Sequence, residues 1–121
     1  EKLKYLALKD LVKSLYAKWK PSVVLIEERA SGYQLIQELD SIIPILPFNP
    51  SGSKLARLMK CVPIIQAGYV FFPEYAVWLQ DFECEICSFP YSAHDDQVDS
   101  MTQAILWVQE SFVAGFGLRE L

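Results

Sequence analysis

The sequence is poor in the residues that support several common protein functions. It has three cysteines (Cys61, Cys84 and Cys87), and so small and odd a number excludes the disulfide framework of a small secreted domain. No apolar run approaches the roughly 18 residues of a membrane-spanning helix. The sequence does not begin with a basic segment, an apolar stretch and a small-residue cleavage site in that order, so no secretory signal is expected. We therefore expect a protein of a reducing cytosol without a membrane partner.

Two familiar catalytic patterns are also missing. The chain contains neither a G-x-x-x-x-G-K-[ST] phosphate-binding loop nor a G-x-S-x-G nucleophile turn. Its one histidine, His94, has no evident serine or cysteine nucleophile around it. What remains is an ordinary globular composition, with 121 residues that are 52% hydrophobic and 21% charged. This predicts a single domain over residues 1–121, with residues 113–121 as a flexible tail.

The charges are unevenly distributed along the chain. The net charge is −4, yet the first 20 residues contain six lysines against two acidic residues. A chain that is acidic as a whole is a poor non-specific binder of nucleic acid. The lysines of the first helix therefore have two interpretations, a solvated helix face or a stripe that follows a phosphate backbone.

The order of hydrophobic patterns predicts an α/β fold in which parallel strands are flanked by helices. The β-branched run at 22–27 indicates a buried strand, whereas Pro44 and Pro47 restrict the second strand to an edge or to a few residues. Beyond these two strands the patterns predict a short β segment at 69–72 and a loop at 89–96. The predicted helices cover residues 3–19, 33–39, 54–65, 74–87 and 97–112.

Two groups of carboxylates stand out. Glu27 and Glu28 end the first predicted strand, and ligands of open α/β sheets bind beyond the carboxyl ends of strands. The alternative is that both face solvent, or that one pairs with Arg29.

The second group is the H-D-D-Q-V-D segment, residues 94–99. Acidic residues at a helix start stabilise the helix by capping and by complementing its dipole. One aspartate would suffice for a cap, however, and three carboxylates in five residues repel one another. The segment therefore also indicates a cation held between them.

Several motifs in order resemble the C-terminal nuclease domain of the large terminase subunit of tailed bacteriophages. The two main ones are V-V-L-I-E-E-R-A-S-G at 23–32 and H-D-D-Q-V-D-S at 94–100. The segments between them, S-G-S-K-L-A-R at 51–57 and A-G-Y-V-F-F-P at 67–73, are similar to the family as well. The resemblance covers roughly residues 3 to 112.

This resemblance implies a ribonuclease H-like fold that binds two Mg²⁺ or Mn²⁺ ions. It implies metal-dependent endonucleolytic cleavage of concatemeric viral DNA during packaging, in the cytoplasm of a bacterial host. The expected partners are double-stranded DNA, a terminase ATPase domain, the small subunit and the portal. By this resemblance, Glu27 and Asp96 are expected to be the catalytic metal ligands, with Asp95 as the alternative acid of the second motif. Asp99 is expected as an additional ligand or as a residue that contacts a ligand, and His94 and Glu28 as residues close to the metal. The candidates for DNA contact are Lys9, Lys13, Lys20, Lys54 and Arg57.

One departure from the family pattern affects these expectations. The family's first strands, including its first catalytic aspartate, precede the helix that matches residues 3–19. We therefore expect an incomplete sheet lacking those strands, weak metal binding and impaired cleavage. The outer edge of Val23 to Ile26 should then be open and favour self-association, unless the N-terminal helix covers it. The alternative functions are a non-catalytic prophage remnant or interaction module, or another ribonuclease H-like nuclease of the resolvase or transposase type.

Overall fold

The computed structural model describes residues 2–91 and 94–120, with side chains described as far as residue 111. The chain divides into two compact units, Glu1–Pro50 and Ser51–Leu121, and each is described by itself. Residues 92–93 of the predicted loop and residue 121 of the predicted tail lie outside the described residues. The expectation of one domain over the whole chain stays a prediction.

The first unit alternates helices and strands as the sequence predicts. Its elements are α1 (Lys2–Trp19), β1 (Val24–Glu27), α2 (Ser31–Leu39) and β2 (Ile45–Phe48). The two strands pair in parallel, in a register that places Val24 beside Ile45 and Glu27 beside Phe48. The mixed α/β class and the parallel pairing are confirmed.

The hydrogen bonds of the sheet explain why β2 tolerates a proline. The N–H groups of Val24 and Glu28 donate to the carbonyls of Pro44 and Phe48, each at 2.9 Å. Backbone groups alternate in direction along a strand, so the even-numbered residues of β2 face β1 and Pro47 faces away. The N–H that Pro47 lacks would therefore have pointed away from β1.

The same alternation leaves the other edge of β1 open. Val24 and Glu28 bond to β2, so the backbone of Leu25 faces away from it. Within the described part of the chain, β2 is the one strand that pairs with β1. Helix α1 packs on the hydrophobic core beneath the sheet, as described next. An open strand edge can pair with another chain, and self-association through 23–26 stays a prediction.

The core of the first unit consists of Leu35, Leu39 and Ile43. Helix α1 contributes a single face to it, made of Tyr5, Val12 and Tyr16. The strands contribute Val24, Ile26 and Ile45. The other apolar residues predicted as the packing stripe of α1 are exposed, namely Leu8, Leu11, Leu15 and Trp19. A single row spaced by seven and four residues is enough to attach α1 to the core.

The elements of the second unit are all helices within its described residues. Its helices are α3 (Lys54–Gln66), α4 (Leu79–Ser88) and α5 (Asp96–Glu120). Helix α3 begins where the Ser53 hydroxyl oxygen accepts the Ala56 N–H at 3.0 Å, which is the ordinary serine cap of a helix start. Its core contains the fully buried side chains Cys61, Val98 and Thr102, with Phe82 beside them.

Two predictions for this unit are wrong. Residues 69–72 form no strand, because no other strand is described in residues 51–91 or 94–120 to accept or donate their backbone hydrogen bonds. Helix α4 begins at Leu79 rather than at 74. Tyr75 is 87% exposed and Val77 fully exposed, so the apolar residues that predicted the earlier start contact little of the core.

Helix α5 continues to Glu120, beyond the predicted end at residue 112. The mobility of residues 113–121 stays a prediction. None of the helices described has both the length and the apolar character needed to cross a membrane.

Candidate functional site

Glu27 is the last residue of β1 and is partly buried. A tight turn follows it, in which the Arg29 N–H donates to the Glu27 carbonyl at 2.8 Å and the Gly32 N–H donates to the Arg29 carbonyl at 2.9 Å. Ala30 adopts φ 51° and ψ −127°, a backbone conformation that is costly for a residue with a side chain. The end of β1 is therefore held in one defined and strained turn.

Gly32 is required in this turn for a steric reason. A Cβ atom on Gly32 would lie 2.0 Å from the Glu27 carbonyl oxygen and 3.4 Å from the Ile26 side chain. Helix α2 thus starts against the backbone of the strand end, at a distance that only glycine permits. This contact explains the glycine of the A-S-G in the first motif and fixes the backbone that carries Glu27.

Glu28 is held by the loop that follows β2. Its N–H donates to the Phe48 carbonyl at 2.9 Å, and its Oε1 accepts the Asn49 side-chain amide at 3.0 Å. These contacts extend the pairing of the two strands by one residue. Glu28 therefore contributes to the attachment of β1 to the residues after β2.

The start of α5 is capped by a residue from another helix. Glu85 is buried in α4, and its Oε2 accepts the backbone N–H of Val98 at 2.6 Å. The capping interpretation of the acidic segment assigned this role to one of its own aspartates, and the structure gives it to Glu85. The signal in the sequence is that Glu85 lies three residues after Phe82, on the packing face of an amphipathic helix.

A lysine lies between two of the three aspartates. Lys54 Nζ is 3.0 Å and 2.9 Å from the two carboxylate oxygens of Asp95 and 3.1 Å from Asp99 Oδ2. Hydrogen bonds first to Asp95 and then to Asp99 raise the pKa of Lys54. Asp96 is exposed and takes no part in these contacts. The structure thus brings Asp95 and Asp99 together and leaves Asp96 apart.

Arg57 supports the same arrangement from one turn further along α3. Its Nη2 is 3.9 Å from Asp99 Oδ1, and its Nη1 donates to the Gly52 carbonyl at 2.7 Å. The guanidinium is buried, so Arg57 is fixed between the loop before α3 and the start of α5.

The residues predicted to contact DNA differ in their surroundings. Lys54 and Arg57 are engaged as described, and Lys9 Nζ lies 2.9 Å from Glu38 Oε1. Lys13 and Lys20 are exposed. DNA contact by these five residues stays a prediction.

The carboxylates of the two acidic motifs differ in how they meet the requirements of a divalent cation. Oxygen ligands are the kind that Mg²⁺ and Mn²⁺ prefer. Within residues 2–91 and 94–120, however, no group of three or more histidine, cysteine, aspartate or glutamate side chains is arranged to hold a metal. Lys54 contacts both oxygens of Asp95 and one oxygen of Asp99, and metal binding by these two residues stays a prediction. Glu27 and Asp96 fit by their chemistry and lie in different units, as part of the first and second motif respectively.

A comparison with protein-family models decides the lineage. The model of the terminase RNaseH-like domain matches residues 1–107. The chain belongs to this family. The match includes β1 with Glu27, the α3 segment with Lys54 and the acidic start of α5. Searches of curated proteins and of solved structures gave no match.

Proposed function

We propose that this chain is part of the nuclease domain of a terminase large subunit and takes part in metal-dependent cleavage of viral DNA. The observation that carries this proposal is the family match over residues 1–107, which contains both acidic motifs. A terminase of this kind would work with an ATPase domain, a small subunit and a portal. The match to a terminase model favours this function over a resolvase or transposase.

Glu27 and Asp96 are the proposed metal ligands. Glu27 ends β1, and the Gly32 contact and the Arg29 hydrogen bond fix its backbone. Asp96 is the first residue of α5 and is exposed outside the Lys54 contacts. When bound, Mg²⁺ or Mn²⁺ supplies positive charge for the scissile phosphate and makes an attacking water more acidic.

Lys13 and Lys20 are the exposed basic residues proposed to contact the DNA backbone. Each phosphate contact makes DNA affinity fall as salt is added. Because the whole chain carries a net charge of −4, binding should be weak and confined to low ionic strength.

The test is the nicking of supercoiled plasmid by the wild-type chain and by Glu27→Gln and Asp96→Asn, with Mn²⁺ and at low salt. We expect slow Mn²⁺-dependent nicking that each substitution reduces by at least about tenfold. Asp81→Asn, an exposed acidic residue in α4, is the matched control and should nick like the wild type. Absence of Mn²⁺-dependent nicking, or equal nicking by all four proteins, would contradict the proposal.

A further inference from the structure

The acidic segment places three negatively charged aspartates close together. Their mutual repulsion predicts a cation between them, and the structure shows a cation that belongs to the chain. One ammonium group contacts both oxygens of Asp95 and one oxygen of Asp99, at 2.9–3.1 Å. A lysine ammonium has three N–H donors, so these three contacts use all of them.

Burial makes this arrangement more than a surface ion pair. The side chains of Asp95 and Asp99 are 19% and 18% exposed, whereas Lys54 is 45% exposed. Arg57, which is 8% exposed, places a second positive charge near the remaining oxygen of Asp99. Two cations thus face two mostly buried carboxylates, and the charges balance without a bound ion.

The helix starts that carry these groups are each held by a hydrogen bond outside the ion pairs. Ser53 caps the start of α3, which places Lys54 at its first residue and Arg57 one turn later. Glu85 caps the start of α5 through the Val98 N–H. Helix α3 also packs on α5, and this packing brings Lys54 to the two aspartates.

We propose that Lys54 acts as the resident cation of this segment and keeps Asp95 and Asp99 out of the metal-ligand set. This rests on the proposed function, in which Asp96 is a metal ligand. Divalent cations bind carboxylate oxygens at roughly 2.0–2.6 Å. A metal at Asp95 or Asp99 would therefore have to displace the ammonium from the oxygens it contacts. Lys54 is a positioning residue that selects which carboxylate of the motif is available.

The test measures Mn²⁺ binding from the signal of the free ion in electron paramagnetic resonance, without DNA. Lys54→Met should bind Mn²⁺ at least about tenfold more tightly than the wild type, because a competing unit charge is removed close to two carboxylates. The gain should disappear when Asp99→Asn is added. In the wild-type background, Asp95→Asn and Asp99→Asn should leave Mn²⁺ affinity within about twofold, a change of less than half a kcal/mol.

Two controls separate this effect from a general change of charge or a loss of structure. Lys60→Met removes a charge from an exposed position of the same helix and should not change Mn²⁺ affinity. Lys54→Arg keeps the positive charge and should bind Mn²⁺ like the wild type. Circular dichroism identifies any variant that fails to fold. If Lys54→Met fails to fold, the comparison of Asp95→Asn and Asp99→Asn with the wild type decides.

The inference is overturned if Lys54→Met gains no affinity, or if wild-type binding falls when Asp95 or Asp99 is replaced. Its failure is distinguishable from failure of the nuclease proposal, because no step of this test depends on cleavage. A chain that cuts DNA through Asp95 would refute the inference and retain the function. A chain that cuts nothing, but gains Mn²⁺ binding in Lys54→Met, would do the opposite.

Discussion

Replacing Gly32 by alanine tests how the end of β1 is held. The new Cβ would lie 2.0 Å from the Glu27 carbonyl oxygen, and separations below 3.0 Å are essentially never seen for a Cβ atom. The start of α2 must therefore move away from β1 by about 1 Å. The oxygen that it meets also accepts the Arg29 N–H at 2.8 Å, so the movement stretches a hydrogen bond as well.

The magnitude follows from three effects. Overpacking of this kind costs about 1–3 kcal/mol, and loss of the Arg29 hydrogen bond adds about 0.5–1.5 kcal/mol. Alanine in place of glycine returns about 0.4–1 kcal/mol through the unfolded chain, since the backbone of Gly32 lies outside the left-handed region. We expect Gly32→Ala to lower the free energy of unfolding by about 0.5–4 kcal/mol, with a central value of about 2 kcal/mol.

Urea unfolding followed by circular dichroism measures this change. Ser31→Ala, at the exposed neighbouring position of the same turn, is the matched control and should stay within about 0.5 kcal/mol of the wild type. If Gly32→Ala is as stable as the wild type and Ser31→Ala, α2 does not approach the strand end closely. The explanation of the motif's glycine is then refuted.

Three further predictions concern the two units. Glu85→Ala should destabilise the chain by about 1.5–3 kcal/mol in urea unfolding, because a charged acceptor is lost from a buried N–H, whereas Glu83→Ala on the same helix should not. Hydrogen bonds from Lys9, then Tyr5 and Gln34, lower the pKa of Glu38 from 4.5 to about 2. The stability that Glu38 contributes is therefore complete above pH 4.5 and lost as the pH falls towards 2, and thermal melting of Glu38→Gln should lack that part of the decline. If the open edge of β1 mediates self-association, sedimentation at increasing concentration should show a dimer that Leu25→Lys abolishes; a wild-type monomer at all concentrations would contradict this.

The helices and strands of the first unit can be predicted from the sequence because their signals are local. The β-branched run before Glu27 and the helical periodicities on either side specify β1, α1 and α2 directly. The register of β2 could not be predicted, because it depends on whether the even-numbered or the odd-numbered residues of β2 direct their backbone groups towards β1. The packing face of α1 was predicted only in part, since six apolar residues at helical spacing do not specify which row contacts the core.

The second unit was harder to predict for a different reason. The apolar residues at 69–78 have the pattern of a strand followed by a helix, yet Tyr69, Phe71, Tyr75 and Val77 are largely exposed. A hydrophobic pattern predicts an element only when a partner surface buries it. The acidic segment was recognised in the sequence, but its cation was not, because Lys54 is 41 residues away from Asp95 along the chain. Such a pairing depends on helix packing, which no local motif encodes.

Asp96, the acidic residue that opens α5, is proposed to bind a divalent cation, and direct Mn²⁺ titration of the wild type and of Asp96→Asn measures this binding. We expect measurable binding by the wild type that falls by at least about tenfold, or about 1.4 kcal/mol, when the Asp96 carboxylate is removed. Equal affinities for the two proteins, or no binding by the wild type, would contradict it.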